Sequence, residues 1–390
     1  MLAGVVLLVG GGLGGWARSA RLQREAVATL QAVGLRALYD FEVDDAGNPL
    51  PVGKQRRPKW LLDATGPDYL GNVLFLRSTS PWGDMLSDAE MPAIGRLTHL
   101  RDLGLNDRVT DAGLAHVRGL TRLRSLSLGK LPITGAGLAH LANLTRLERL
   151  ALYQLTISDG DLAHVAGLVR VQELLFECPA VTDAGLVHLA GMTDMRNLDL
   201  REAQVGGEGL AHLGRMSRLE EVKLQGGTVA RLDHLPALAG LKTLTLWKVP
   251  VDDAGFAPLA RCLGLVRLDL LDVPITDVGL ASLRGLVNMK ELLLHFTKIG
   301  DAGLTHLSGL KSLTYLDLAG TEVTDAGLAS IAGLPALEGL DLEYTKVGDA
   351  GFARLAGLPR GRLIRAVQTQ VTKAAASALE AAKPGLKVAN

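Results

Sequence analysis

The sequence predicts an α/β solenoid: a horseshoe of about 12–13 coils of roughly 24 residues, with a parallel sheet on the concave side and short helices on the convex side. Two observations predict it. The first is a bipartite motif, clear from Leu313 to Leu334, that joins a strand-like L-x-x-L-x-L piece to a helix-like V-T-D-A-G-L-A-x-I/L-x-G-L piece. The second is its constant interval. The first apolar residue of each strand piece falls at Leu100, Leu123, Leu147, Val171, Met195, Leu219, Leu241, Leu265, Met289, Leu313 and Leu337, with a degenerate copy at Gly361. Steps are 23 or 24 residues, apart from one of 22 after Leu219. A weaker copy precedes these, with Leu70, Val73 and Phe75 as its strand and Leu86 to Leu97 as its helix piece.

Each element has a physical reason. Strand side chains alternate faces, so Leu316 and Leu318 point inward while Tyr315, Asp317 and Ala319 point to solvent. Val323, Leu328, Ile331 and Leu334 close the core from the helical side. Thr324 caps the helix, and Asp325 suits the positive end of its dipole. Gly327 recurs as Gly113, Gly137, Gly185, Gly209, Gly255, Gly279, Gly303 and Gly351. Glycine costs about 1 kcal/mol inside a helix, so its recurrence points to close packing against the neighbouring coil. One unit cannot bury its apolar side alone; stacking makes the core continuous. Thirteen strands about 4.8 Å apart give a sheet roughly 60 Å long.

The L-x-x-L-x-L core with one strand and one helix per unit resembles the leucine-rich repeat family. The V-T-D-A-G-L-A-H-L half is similar to the subtype of ribonuclease-inhibitor-like and F-box-associated proteins, and of bacterial membrane-anchored repeat proteins of unknown role. The resemblance covers about Leu70 to Val388 and is specific for the fold, far less so for a function. One departure stands out. The family often places Asn or Cys at the ninth position, to bond the turn backbone; here it reads Thr297, Thr321, Thr345 and Thr369 in the last four repeats. A ladder of threonine hydroxyls is expected to take over that bonding. Earlier, Pro132, Pro250 and Pro274 follow that position and stiffen the turn.

The N-terminal residues 1–16, MLAGVVLLVGGGLGGW, read as a hydrophobic anchor or signal-like segment, followed by Arg18, Arg21 and Arg24. The segment is short against the roughly 20 residues of a spanning helix, which a start further upstream would explain. The reading is a single membrane anchor with a soluble repeat domain. The rival is a dinucleotide-binding turn of an oxidoreductase, since Gly10, Gly12 and Gly15 satisfy G-x-G-x-x-G, with Val5 to Val9 as strand and Ala17 to Val33 as helix. Its acidic partner, Asp40 or Glu42, comes late, and no further βαβ unit follows. Residues 17–69 read as a cap: a helix to Val33, a strand from Leu35 to Val43, a basic turn with Lys54, Arg56 and Arg57, and a short helix carrying Trp60. The repeats occupy 70–370 and a C-terminal cap 371–390, with an Ala-rich helix and a closing strand. The sixth unit is short, with ARLDHLPAL in place of the motif, and Pro236 is expected to interrupt its helix.

Charge is balanced, 41 basic against 41 acidic residues, so no basic footprint for nucleic acid stands out. Cys178 and Cys262 lie in different repeats and phases, too far apart for a disulfide. His116, His140, His164, His188, His212 and His306 share one phase, but they project in parallel from successive helices, and no metal site is expected. No nucleophile, zinc-protease or phosphate-loop motif is present. The reading is therefore non-enzymatic, without cofactor or metal. The inner sheet face is the candidate binding surface, because packing does not dictate its residues. Its seventh positions include Tyr153, Glu177, Arg201, Trp247, Leu271 and His295, a set rich in residues favoured at interface hot spots. Another protein is the expected partner, with an F-box-like substrate adaptor as the alternative.

Overall fold

The computed structural model describes residues 2–44, 48, 50–51, 56–78, 86–106 and 108–390, with backbone alone for residues 2–14. Lys54, in the expected basic turn, lies outside the described residues. The chain forms two compact units, Met1–Leu174 and Leu175–Asn390.

The first unit opens with α1 (Leu2–Ala32), a single helix of 31 residues. It includes Val5 to Val9, so the strand–turn–helix that a dinucleotide fingerprint requires is absent. That reading is overturned: a phosphate-cradling loop needs a break between strand and helix, and here there is none. Ala20, Ala26, Val27 and Leu30 form the buried stripe of α1, at helical spacing. Among the described residues, no helix is long and apolar enough to cross a membrane. β1 (Leu35–Tyr39) pairs antiparallel with β2 (Val73–Ser78) in a two-stranded sheet of their own. Sequence periodicity placed β2 in the parallel ladder. Instead its backbone groups are largely committed to β1, and only Leu74 O reaches onward, accepting from Arg101 N at 2.8 Å. Between them, α2 (Lys59–Thr65) carries an exposed Trp60.

β3 (Asp102–Asn106), β4 (Ser125–Gly129) and β5 (Arg149–Tyr153) pair in parallel, in chain order. β6 (Glu173–Glu177) lies at the division. In the second unit β7 (Asn197–Arg201), β8 (Glu221–Gln225), β9 (Thr243–Trp247), β10 (Arg267–Leu271), β11 (Glu291–Leu293), β12 (Tyr315–Asp317), β13 (Gly339–Asp341), β14 (Leu363–Arg365) and β15 (Lys387–Ala389) form a parallel ladder, each strand beside the next. Between strands the chain returns through one turn of α-helix, a 3-10 turn or both, and between β14 and β15 through a ten-residue helix, Lys373–Ala382. This is the α/β solenoid expected from the repeat.

Leu316, Leu318, Val323, Leu328, Ile331 and Leu334 are all buried, and each such side chain is worth about 1.5–3 kcal/mol on burial. At the end of successive strands one non-glycine residue takes a left-handed conformation, among them Lys130, Gln154, Lys248 and Tyr344, with φ between 51° and 59°. Each costs about 1–2 kcal/mol, and each turns the chain out of the sheet. The ninth-position threonines then act as expected. Thr297, Thr321, Thr345 and Thr369 donate their hydroxyls to the carbonyls of Leu294, Leu318, Leu342 and Ala366 at 2.6–2.8 Å.

The T-D-A-G motif does more than start a helix. Thr324 Oγ1 accepts from Ala326 N at 3.3 Å, the expected cap. Asp325, however, serves the following coil, where its carboxylate accepts from Gly348 N at 2.7 Å. A helix of four residues has little dipole to offer, whereas an unpaired N–H at the next cap needs an acceptor. Asp301 likewise accepts from Thr324 N at 2.8 Å and from its hydroxyl at 2.6 Å, and Asp111, Asp253 and Asp349 repeat the pattern on Thr134, Thr276 and Thr372. A Cβ on Gly327 would overlap the Asp301 carboxylate, and one on Gly303 that of Asp277. At two of the places where the aspartate is missing, the next cap supplies its own acid. Gly135 takes the place of an aspartate, and Ser158 is bracketed by Asp161 of its own turn. Arg231 takes the place in the short sixth unit, and Asp252 caps its own helix through Gly255 N at 2.8 Å. Pro236 does not interrupt a helix there; it stands at the start of the 3-10 turn Leu235–Ala237, where its missing N–H costs nothing.

Candidate functional site

In the first unit, Tyr153 ends β5 and its ring lies across Gly129 of the preceding strand. Its hydroxyl donates to Asn106 Oδ1 at 3.0 Å, two coils away. The phenol is therefore fixed in orientation and half-exposed.

In the second unit, ladder pairing places Arg201 beside Gln225, Gln225 beside Trp247, and Trp247 beside Leu271. Trp247 is 41% exposed, and Lys248 Nζ stands 5.9 Å from its ring centroid. Arg201 is held by Asp199, at 2.6 Å from Nη2 and 3.1 Å from Nε. Its guanidinium is thus oriented before any partner arrives. Glu177 is half-buried and adds to the negative field on Arg201. Leu271 and His295 are also half-buried.

His295 Nδ1 lies 3.3 Å from Asp317 Oδ1. Asp317 and Asp341 were expected to face solvent, and both are buried. The reason is local. Asp317 accepts from Ala319 N at 2.9 Å and lies within 3.5 Å of the Tyr315 hydroxyl, while Asp341 accepts from Glu343 N at 3.0 Å and faces Arg365 at 3.3 Å. Burial raises the Asp317 carboxyl above the ordinary carboxylate range, against the pull of the Ala319 N–H and His295. Burial likewise pushes the Tyr315 phenol up to about 12. Leu293 and Ala319 are buried as well. Over β11 to β13 much of the sheet face is packed, and solvent access shifts to its border.

That border holds two residues that sequence reasoning missed. Phe296 and Tyr344 occupy the left-handed position just after the strand row and are 56% and 59% exposed. The Phe296 ring covers Gly320, whose φ is +68°. The signal was available, since apart from Cys178 that position is otherwise polar or glycine in the repeats. The histidines of the helical side are not gathered into a cluster: His306 Nδ1 accepts from Arg284 Nε at 3.0 Å. Cys178 and Cys262 are both buried.

Residues 309–332 match the family model described as leucine-rich repeat. No curated protein matches the sequence. Among solved structures, an internalin from Listeria monocytogenes is 22% identical with a TM-score of 0.61, covering 78% of this chain and 89% of that one. The TLR13–ssRNA13 complex is 17% identical with a TM-score of 0.57, covering 71% of this chain and 40% of that one. The mouse RP105/MD-1 complex is 16% identical with a TM-score of 0.54, covering 77% and 61%. The fold is thus that of a leucine-rich-repeat solenoid, with one strand per coil.

Proposed function

We propose that this protein is a non-enzymatic scaffold that binds another protein through the open face of its parallel sheet. In the second unit the contact residues are Glu177, Arg201, Trp247, Leu271 and His295, with Phe296 and Tyr344 at the border; in the first unit Tyr153 holds the same repeat position. The observation that carries this reading is Trp247: a large indole 41% exposed on a strand, beside Leu271 in register and two strands from a pre-oriented arginine. Aromatic residues and arginine dominate binding hot spots because they combine large contact area with oriented polar groups. The backbone of the inner strands is committed to the ladder, so recognition on the face falls to side chains. RP105, a protein of the same fold, is seen in complex with MD-1, which supports the protein-binding reading. Tethering to a membrane through the apolar segment Leu2 to Trp16 is a second part of the proposal and rests on composition alone. Pull-down with Trp247→Ala plus Arg201→Ala is expected to lose the partner with circular dichroism unchanged. Undiminished binding would move the site off this face.

A further inference from the structure

On the first unit, at the edge where the chain enters each strand, five arginines and His99 surround a cavity of about 230 Å³. Arg101, Arg122, Arg124, Arg146 and Arg170 come from successive repeats, in two adjacent columns set by the repeat phase. One acid, Glu148, stands among them, 4.0 Å from Arg124. Among the described residues the other four guanidinium groups have no ion-pair partner. On the same two columns of the second unit four of the six bases are paired to acids of those columns. There Arg218 meets Asp194 at 2.6 Å, Lys242 meets Glu220 at 3.0 Å, Arg196 meets Glu220 at 3.6 Å and Arg362 meets Glu338 at 3.4 Å. The corresponding groove of that unit, lined by Arg196, Glu220, Glu221 and Lys242, is balanced in charge. The repeat therefore accommodates an acid at these positions wherever the sequence supplies one. Like charges in neighbouring coils repel, so the arginine concentration weakens the fold with no structural return. The local field is visible in His99, whose imidazole is held below its ordinary pKa by burial and then by the charge of Arg122.

We propose that this arginine-lined cavity is a binding site for a compact polyanion carrying two or more phosphate groups. Guanidinium forks match phosphate oxygens two at a time and stay charged at any working pH. The cavity is short: after Arg170 the columns are broken by three acids, Asp194, Glu220 and Glu338, and by a run of mostly uncharged residues from Gly264 to Ala336. An extended nucleic acid needs a continuous basic track, so the fit is to a small ligand. Recognition here is independent of the sheet-face reading, because none of these side chains lies on the Trp247 row.

The test is isothermal titration calorimetry of the full chain with inorganic tripolyphosphate at low and moderate salt. The expected result is saturable one-to-one binding that weakens as salt rises, and falls at least tenfold in the double variant Arg122→Ala/Arg146→Ala. The exposed control Arg218→Ala, from the same column but already paired, leaves affinity unchanged. Arg122→Lys/Arg146→Lys, which keeps charge but loses the fork, falls between. Absence of saturable binding at low salt would overturn the proposal, as would equal affinity in the double variant. Citrate binding as tightly would remove the phosphate assignment, and single-stranded RNA binding more tightly with the same arginine dependence would reassign the site to nucleic acid.

Discussion

Asp301 shows how one side chain specifies a fold. Its two oxygens hold the N–H and hydroxyl of Thr324 in the next coil, and its bulk forbids a side chain at Gly327. The motif T-D-A-G is thus a bracket between coils, not only a helix start. Gly327→Ala is expected to destabilise by about 2 kcal/mol or more, because the bracket must open to admit the methyl. Gly333→Ala, where a Cβ meets nothing within 4 Å, is expected to change stability by less than about 0.5 kcal/mol. Urea unfolding of the two variants checks this; equal effects would contradict the bracket. Titration supplies a second check at this scale. Asp88 is held below the ordinary carboxylate range, chiefly by the Thr110 hydroxyl. Its contribution is present above the unfolded value and lost as pH falls through the folded one. Asp317 has the opposite sign. Burial raises it, so its contribution is greatest in acid and declines as pH rises through the folded value. Carboxyl NMR is expected to place Asp88 below and Asp317 above the ordinary 3.8, and Asp317→Asn is expected to gain on the wild type as pH rises. A normal Asp317 midpoint would contradict its burial.

At the scale of the element, a strand and a short return turn succeed only because their ends are tied. Thr321 ties one end by donating to Leu318 O at 2.6 Å, and Asp301 ties the other. Asp301→Ala is expected to cost about 2–3 kcal/mol, since two charge-assisted hydrogen bonds are lost and a cap N–H is left without its acceptor. A change under about 0.5 kcal/mol in urea unfolding would show that the bracket is incidental. Much of this was legible beforehand. The leucine period gave the strands, and the Thr297, Thr321, Thr345 and Thr369 series gave the turn ladder, because both are contacts at a fixed phase. The destination of Asp325 was not legible, since helix start and bracket to the next coil use the same residue. The burial of Asp317 and Asp341 also escaped, because alternation assigns a face but not what neighbouring side chains cover. β2 was misplaced because its apolar pattern fits either pairing, and only β1 as a competing partner decides it.

At the scale of the whole chain, overall neutrality hides local segregation of charge. The first unit gathers unpaired arginines along one edge, while the second pairs most of the bases on the same columns with acids. Composition sums over both and reads zero. The candidate sheet face was legible in outline, because its positions are free of packing demands, but its aromatic border at Phe296 and Tyr344 was passed over, although the departure from polar residues is visible there. Those residues fall one place beyond strand alternation, in a left-handed turn residue. The central claim is that the open sheet face meets a protein partner while the helical side serves only to stack the coils. A photo-crosslinking residue placed at Trp247, and separately at Val278 on the helical side, which is 72% exposed, tests it most directly. The account predicts that position 247 captures one protein, that capture is lost with Arg201→Glu, and that position 278 captures none. Capture at 278 with none at 247 would contradict it.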